Sequence, residues 1–165
     1  MSQQQRIYMT PGCAKRLRAE LKKLLYTDRP TLAKAARIAA EEGDRSENYE
    51  YQATKRAMRK MDGRIHFLTK RIESLEVVDP VKQGNIANGR VLFGATVTVE
   101  DDEGEEKVYS IVGIDEYDGG KGKVSWVSPI GKALLGRSEG DSVSFVTPGG
   151  VSELEIVKVE YTAID

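Results

Sequence analysis

The sequence has few of the residues on which disulfides, metal centres and membrane spans depend. Of its 165 residues, one is a cysteine and one is a histidine. The single cysteine, Cys13, excludes an internal disulfide and a cysteine-based zinc site, and is typical of a small apolar core side chain. No apolar run approaches the ~20 residues of a membrane span, and the first ten residues lack the apolar core of a secretory signal. We therefore expect a protein of a reducing cytoplasm with no membrane partner.

Charge is abundant, and it is divided unequally between the two halves of the chain. The formal net charge is −1. Residues 1–75 contain 17 Lys and Arg against 9 Asp and Glu, a net charge of +8, whereas residues 76–165 contain 8 against 17, a net charge of −9. Such opposed halves indicate two modules with different partners, and the basic module is the one expected to meet nucleic acid.

Residues 1–79 have the periodicity of a long antiparallel helical hairpin. Thr10-Pro11 is a typical helix start. Apolar residues then recur at spacings of three and four along two arms of about 30 residues, roughly 45 Å each. Asp28 and Pro30 interrupt the first arm, where we expect a kink. The predicted interface comprises Leu17, Leu21, Leu24, Thr31, Ala35 and Ile38 in the first arm and Tyr51, Thr54, Met58, Met61, Ile65, Leu68, Ile72 and Leu75 in the second.

From residue 90 onward the periodicity changes to that of strands. Residues 80–89 are interpreted as a linker, because they contain Gly and Asn and have no clear period. Short alternating runs separated by turns then predict an antiparallel sheet over residues 90–165, and residues 130–135 predict one covering helix. The expected fold class is α+β, with a helical hairpin followed by a sheet domain.

An acidic stretch, EEGDRSENYE at residues 41–50, joins the two basic arms. Five of its ten residues are acidic. Asp44, followed three residues later by Glu47, fits a capping box at the start of the second helix. The same two carboxylates at the end of a narrow rod are also suited to sharing one hard cation such as Mg²⁺, while leaving most of its coordination positions to other ligands. Capping and metal delivery are compatible, and the residues alone leave both open.

These residues carry a resemblance to a known family. GDRSENYEY, placed between arms of this length, resembles the tip of the Gre transcript-cleavage factors of bacterial RNA polymerase. The similarity continues through RIHFLTKRIESLEVVD at the end of the hairpin and through SPIGKALLG, EGDSV, TPGG and IVKVEY in the second domain. It spans nearly the whole chain, and it implies that residues 90–165 have the FKBP-like fold found in these factors.

The resemblance implies an accessory factor and not an enzyme. Gre-like proteins insert the hairpin through the secondary channel of a backtracked RNA polymerase, which then cleaves its own transcript near the extruded 3′ end. Asp44 and Glu47 would help to hold a catalytic Mg²⁺ that is shared with the polymerase and not expected on the free protein. Ser46 and Asn48 would orient the tip or touch RNA or polymerase. The expected partners are bacterial RNA polymerase and the nascent RNA 3′ end, and the factor is expected to be a monomer.

A basic patch follows the tip on the second arm. Arg56, Lys60 and Arg64 are spaced by four and therefore share one helix face. The patch is either a solvated helix face or a track that holds extruded RNA through its phosphates. With the DRSEN tip, it most resembles the GreB subgroup of the family. Its members are Lys55, Arg56, Arg59, Lys60 and Arg64.

Alternatives to cleavage stimulation follow from the same resemblance. Some related proteins share this build but inhibit the polymerase, and the intact D-x-x-E-N tip argues against that reading. An FKBP-like fold also suggests prolyl isomerase or chaperone activity as an alternative. The aromatic residues of this domain are dispersed along the chain, however, and Trp126 and Phe145 are expected in its core. The domain is instead expected to anchor on the polymerase through Ser128 and Pro129. His66 has no second His or Cys nearby and is expected neither to bind metal nor to act as a base.

Overall fold

The computed structural model describes the backbone of residues 6–42 and 45–165, and the side chains of these residues except 42 and 45–48. The described chain divides into two compact units, one formed by Lys15–Ser74 and the other by residues 6–14 together with residues 75–165. The predicted α+β class is confirmed. The sequence predicted a hairpin of residues 1–79, a linker and a domain of residues 90–165. That division places the first strand and residues 75–79 in the hairpin, whereas the structure places them in the unit that contains the sheet.

Helices predominate in the first half of the chain and strands in the second. Among the described residues, no helix is both long and apolar enough to cross a membrane. In chain order the elements are β1 (Ile7–Met9), α1 (Pro11–Lys23), a π-helical turn (Leu24–Asp28), α2 (Arg29–Glu42), α3 (Arg45–Glu73), β2 (Leu75–Val77), α4 (Pro80–Ala87), β3 (Thr96–Glu100), β4 (Glu106–Val112), a 3₁₀ turn (Gly119–Lys121), β5 (Lys123–Ser125), α5 (Pro129–Leu134), β6 (Ser142–Thr147) and β7 (Gly150–Glu160).

Helix α3 packs against α2 and follows its predicted register. Every predicted interface position from Tyr51 through Ile72 is buried or half-buried, and Leu68 is fully buried. Because spacings of three and four alternate without interruption, these side chains stay on one face of an α-helix over its 29 residues. Leu75, the last predicted position, lies beyond the helix in strand β2.

The first arm departs from its predicted register after residue 28. The predicted positions before it are half-buried, but those after it are exposed, namely Thr31, Ala35 and Ile38. Ala36 and Ala39 are buried instead, one residue further along the chain. The cause is the π-helical turn, after which the N–H of Arg29 donates to the carbonyl of Leu24, five residues back. Such a turn adds one residue to the helix, so the predicted interface beyond it was wrong by one position.

Pro30 lies two residues after the π-helical turn. Proline has no N–H, so a regular helix would leave the carbonyl of Tyr26 without its hydrogen bond. The helix is therefore irregular in its hydrogen bonding at this place. The structure has a π turn at Leu24–Asp28, and the kink predicted near Asp28 and Arg29 stays a prediction.

Strand β1 was not predicted, because a three-residue run is too short to show a period. It pairs in parallel with β2, with Tyr8 opposite Glu76. The ring of Tyr8 lies 5.9 Å from that of Phe93 and meets the ring of Trp126 edge-on at 5.4 Å. Trp126 is half-buried and packs against the domain core, as predicted.

Residues 80–87, assigned to a linker from the sequence, form helix α4. The carboxylate of Asp79 caps this helix by accepting a hydrogen bond from the N–H of Val81 at 3.0 Å, and Pro80 occupies the first helical position. Asn88 ends the helix with a φ of 50°. A side-chain cap, an initial proline and a left-handed terminator are helix signals that do not depend on periodicity, so this helix was recognisable.

The sheet domain has five strands in the order β5-β4-β3-β7-β6. Neighbours are antiparallel, as predicted, except that β5 runs parallel to β4 after residues 113–122 carry the chain back. Helix α5 packs against β5 and β6, as expected for the predicted covering helix. The buried core comprises Val91, Ala95, Val97, Val99, Ile111, Val124, Leu134, Val143 and Ile156.

A buried carboxylate joins the N-terminal segment to this sheet domain. Glu116 is 6% exposed, and it accepts hydrogen bonds from the N–H of Thr10 at 3.1 Å, from the Thr10 hydroxyl and from the N–H of Gly113 at 2.9 Å. A Cβ at Gly113 would stand 2.2 Å from the carbonyl oxygen of Tyr8, so only glycine fits there. Helix α1 starts at Pro11 as predicted, but the Thr10 hydroxyl donates to Glu116.

Candidate functional site

The acidic stretch connects helices α2 and α3. Helix α2 ends at Glu42 and α3 begins at Arg45, so two residues join them. Asp44 lies outside the described residues. Ser46, Glu47 and Asn48 lie in the first turn of α3, where the backbone is described and the side chains are not. The catalytic role predicted for Asp44 and Glu47 and the supporting role predicted for Ser46 and Asn48 therefore stay predictions.

Potential metal ligands elsewhere in the described part of the chain are dispersed. Among the side chains that the structure describes, no group of three or more His, Cys, Asp or Glu is placed to hold a metal ion. His66 is exposed on α3, whereas Cys13 is buried at 3% exposure, as predicted for a small apolar side chain. Metal binding at the acidic tip stays a prediction, and a pair of carboxylates fills only part of the octahedral shell of Mg²⁺.

Two bidentate ion pairs join the arms of the helical unit. Arg29 donates to Asp62 at 2.6 and 3.2 Å, and Arg64 donates to Glu20 at 2.7 and 2.9 Å. The hydrogen bond from Arg29 lowers the pKa of Asp62, and the hydrogen bond from Arg64 lowers that of Glu20. The paired residues are 33 and 44 positions apart, so no local pattern could identify them. They fix which turns of the two arms lie side by side.

The predicted basic patch is divided by these ion pairs. Arg64, its fifth member, is bound to Glu20 and lies with its guanidinium carbon 5.3 Å from the centre of the Phe67 ring. The guanidinium of Arg71 lies 4.8 Å from the same ring. Sequence analysis missed this Arg–Phe–Arg cluster, although the spacing of three and four residues on one helix face could have indicated it. Arg64 thus contributes to the structure of the hairpin.

The remaining four members of the patch are exposed along α3. Lys55 lies with its Nζ 5.7 Å from the ring of Tyr51, one turn closer to the tip. A row of exposed cations on a helix is suited to phosphate groups, which it attracts without reading sequence. Their use as an RNA track stays a prediction. The four residues are Lys55, Arg56, Arg59 and Lys60.

Ser128 and Pro129, the predicted polymerase contact, begin helix α5. The Ser128 hydroxyl accepts a hydrogen bond from the N–H of Gly131 at 3.1 Å and donates one to the carbonyl of Ser125 at 2.6 Å. A Cβ at Gly131 would stand 2.2 Å from that same carbonyl oxygen. Pro129 is exposed, and Val127 is 39% exposed. The serine therefore holds the loop in shape, and Val127 and Pro129 expose apolar atoms on either side of it.

Two known family models match successive parts of the chain. Residues 7–77 match the N-terminal domain of transcription elongation factors, and residues 86–161 match the C-terminal domain of the transcription elongation factors GreA and GreB. A helical hairpin followed by a small sheet domain, each matched in its own place, defines the class as a transcription elongation factor. The chain belongs to the GreA/GreB family, as the resemblance of its motifs predicted.

Individual relatives agree with this family. Transcription elongation factor GreB of Neisseria meningitidis serogroup B is 46% identical over 165 residues, which is the full length of both chains. Transcription elongation factor GreA of Anaeromyxobacter is 46% identical over 158 residues, 95% of this chain and 93% of the relative. A solved structure of a GreA/GreB elongation factor from Nitrosomonas europaea is 26% identical and covers 94% of this chain and all of that one, with a TM-score of 0.42. The full-length match supports the predicted likeness to GreB.

Proposed function

We propose that this protein stimulates transcript cleavage by bacterial RNA polymerase. The hairpin enters the secondary channel of a backtracked complex, and the tip presents Asp44 and Glu47 beside the polymerase active site. The polymerase then hydrolyses its own transcript near the extruded RNA 3′ end, and elongation resumes from the new end. The protein is not itself an enzyme, and it acts as a monomer.

The proposal is supported by the length of α3 and by the acidic residues that lie at its start in the sequence. Helix α3 is 29 residues long, about 44 Å at 1.5 Å per residue, and it begins at Arg45. Glu47 is in its first turn, and Asp44 immediately precedes it. Two cross-arm ion pairs stabilise the rod behind them. Such a rod is suited to carrying a small group of carboxylates into a narrow channel.

The chemistry expected at the tip is two-metal phosphodiester hydrolysis. The second Mg²⁺, when bound, activates the attacking water and offsets the charge that develops on the phosphate. Asp44 and Glu47 would contribute oxygen ligands to it, and the polymerase would supply the others. Two carboxylates alone bind Mg²⁺ weakly, so the metal is held only in the complex.

Two further regions support the tip in this proposal. The exposed cations Lys55, Arg56, Arg59 and Lys60 would follow the phosphates of the extruded RNA toward the tip. The apolar surface at Ser128 and Pro129 would anchor the sheet domain on the polymerase. Arg64, the fifth predicted member, is bound to Glu20 and would share its guanidinium between that carboxylate and a phosphate.

The test is RNA cleavage in stalled, backtracked complexes of purified bacterial RNA polymerase with Mg²⁺. Asp44→Asn and Glu47→Gln keep the side-chain size and much of the capping capacity while removing charge. We expect each variant to bind polymerase like the wild type and to lose most of the stimulation, on the order of 100-fold, because a metal ligand is lost. Glu50→Gln, which removes an exposed carboxylate one turn along α3, is the matched control and should cleave normally.

Two outcomes would contradict the proposal. If Asp44→Asn and Glu47→Gln cleave as well as Glu50→Gln, the tip carboxylates serve only as a helix cap. If the wild type binds but blocks the polymerase without cleavage, the protein is a channel inhibitor.

A further inference from the structure

A cleft lies on the sheet domain at the end of the sheet where β3 turns into β4. Its volume is about 360 Å³. Its lining comprises Val99, Asp101, Asp102, Glu103, Glu105, Lys107, Tyr109, Phe145, Val151, Ser152, Glu153 and Leu154. Ser128 and Pro129, the predicted anchor, are not among the described residues that line it.

The floor of the cleft is a continuation of the domain core. Strand pairing places Tyr109 opposite Val97 and Leu154 opposite Val143. Val97 and Val143 are buried core residues, and directly paired residues point to the same face, so Tyr109 and Leu154 lie on the core face of the sheet. Phe145 lies two residues after Val143 and shares that face.

The cleft exists because the covering helix is too short for the sheet. Helix α5 has six residues, about 9 Å at 1.5 Å per residue, whereas strand β7 has 11, about 36 Å at 3.3 Å per residue. The helix therefore covers only part of the core face. Tyr109, Phe145 and Leu154 on this face are half-buried. An apolar face of this kind is favoured to bury itself against another apolar group.

The rim of the cleft is acidic. The carboxylate of Asp101 accepts hydrogen bonds from the N–H groups of Glu103 and Glu105, both at 2.9 Å, and so shapes the turn between β3 and β4. Within the part of the chain that the structure describes, Asp102, Glu103 and Glu105 form no ion pair. The lining contains five acidic residues and one lysine, so its formal charge is −4.

The apolar floor and the acidic rim together determine which kind of partner the cleft can bind. A nucleic acid or an anionic membrane is repelled by the rim, which lies on the unit of the chain that carries the excess of acidic residues. A protein segment with an apolar side chain between Lys or Arg residues buries the apolar group on the floor and pairs its cations with the rim.

We propose that the cleft docks such a basic and apolar polypeptide segment of RNA polymerase, as a contact separate from the one at Ser128 and Pro129. This proposal rests on the proposed function, because it takes the polymerase as the protein that supplies the segment. The cleft holds the sheet domain on the polymerase, and the hairpin tip supplies the chemistry.

The first test measures the affinity of the full-length protein for purified core RNA polymerase at two salt concentrations. Glu105→Lys reverses a charge on the rim, and Glu155→Lys makes the same change at an exposed position of β7 outside the cleft. We expect Glu105→Lys to weaken binding about fivefold or more at low salt and less at high salt, because rim charges act through screened electrostatics. Glu155→Lys should stay within about twofold of the wild type.

The second test identifies what occupies the cleft. Lys107, which lies on its lining, is replaced by the photoreactive residue p-benzoylphenylalanine, and the crosslinked peptide is determined by mass spectrometry after irradiation with polymerase. We expect a polymerase peptide in which Lys or Arg flanks an apolar residue, and we expect Glu105→Lys in the same chain to reduce the crosslink.

The outcomes separate this proposal from the proposed function. If the wild type neither binds polymerase nor stimulates cleavage, the proposed function fails. If the wild type binds and stimulates cleavage while Glu105→Lys and Glu155→Lys behave alike, only the cleft proposal is overturned. A crosslink to RNA, to an acidic peptide or to a second copy of this chain also overturns it.

Discussion

The helical unit and the sheet unit are stabilised by different kinds of contact. In the helical unit most interface side chains are only half-buried, and bidentate ion pairs between exposed residues, Arg29–Asp62 and Glu20–Arg64, join the arms. In the sheet unit nine apolar residues form a buried core, and a buried carboxylate, Glu116, anchors the N-terminal segment. A thin helical interface depends on keeping its register over many turns, whereas a packed core depends on its individual residues.

The same difference separates what each unit can offer to a partner. The helical unit exposes charge along its length and ends in a short acidic connection. The sheet unit leaves one end of its core face open between acidic turns. The hairpin is therefore suited to reaching into a site, and the sheet domain is suited to holding on outside it.

The largest effect is expected from deleting a single residue in the hairpin. Deleting Ala57, an exposed residue of α3, rotates one half of the helix by about 100° relative to the other and breaks the interface, so the hairpin should lose most of its cooperative unfolding. Deleting Tyr26, which is 74% exposed in the π-helical turn, is the matched control. It removes the extra residue and lets the turn become α-helical, so the rest keeps its register. Far-UV circular dichroism during thermal unfolding measures both variants.

The prediction is wrong if the two deletions lower the thermal stability of the hairpin equally. Equal losses would mean that the π turn is an integral part of the hairpin and that register is not what distinguishes the two sites.

A smaller effect is expected from the buried carboxylate of the sheet unit. In Glu116→Gln a neutral amide replaces the carboxylate, so the hydrogen bonds from the N–H groups of Thr10 and Gly113 lose the strength that a charged acceptor gives them. We expect the free energy of unfolding to fall by about 2 kcal/mol. Glu106→Gln, at an exposed position of β4, should change it by less than about 0.5 kcal/mol. Urea unfolding followed by the fluorescence of Trp126 gives both values, and similar stability in the two variants would show that Glu116 is not an anchor.

The smallest effect is expected from the exposed ion pair of the helical unit. The hydrogen bond from Arg64 lowers the pKa of Glu20 from its usual value of 4.5. A lowered pKa in the folded state means that the pair stabilises the hairpin fully above about pH 4.5 and loses this contribution as the pH falls through the folded pKa. Because both side chains are more than a third exposed, the contribution should stay below about 1 kcal/mol.

Titration of the Glu20 carboxyl by NMR, with unfolding measured at pH 7 and pH 3, checks this expectation. Glu20→Gln should lower the stability at pH 7 and have a smaller effect at pH 3. If the pKa of Glu20 is unshifted, or if the substitution has an equal effect at both pH values, the ion pair does not stabilise the hairpin.

Sequence patterns predicted the features that depend on neighbours along the chain. The register of α3 from Tyr51 to Ile72, the start of α1 at Pro11 and the covering helix at residues 129–134 were all recognisable, because side-chain period and caps are local properties. The family was also recognisable, since the motif GDRSENYEY needs no structure to be compared. Helix α4 was missed although the cap at Asp79 and the proline after it were visible.

These sequence patterns could predict only part of the site. The exposed cations behind the tip were correctly placed on one arm, but the sequence could not tell that Arg64 is bound to Glu20. Equally, the open end of the core face is created by the length of α5 relative to β7, which no single segment reveals.

By itself the sequence determined two helical arms joined by an acidic connection, a following sheet domain and membership of the GreA/GreB family. These follow from local periodicity, capping and motifs, which are set by residues within a few positions of one another. The tertiary structure alone decided the one-residue shift after Leu24–Asp28, the pairing of β1 with β2, the parallel edge strand β5 and the burial of Glu116. Each of these depends on contacts between distant residues or on an irregular hydrogen-bond pattern within a helix, and such contacts exist only once the chain has folded.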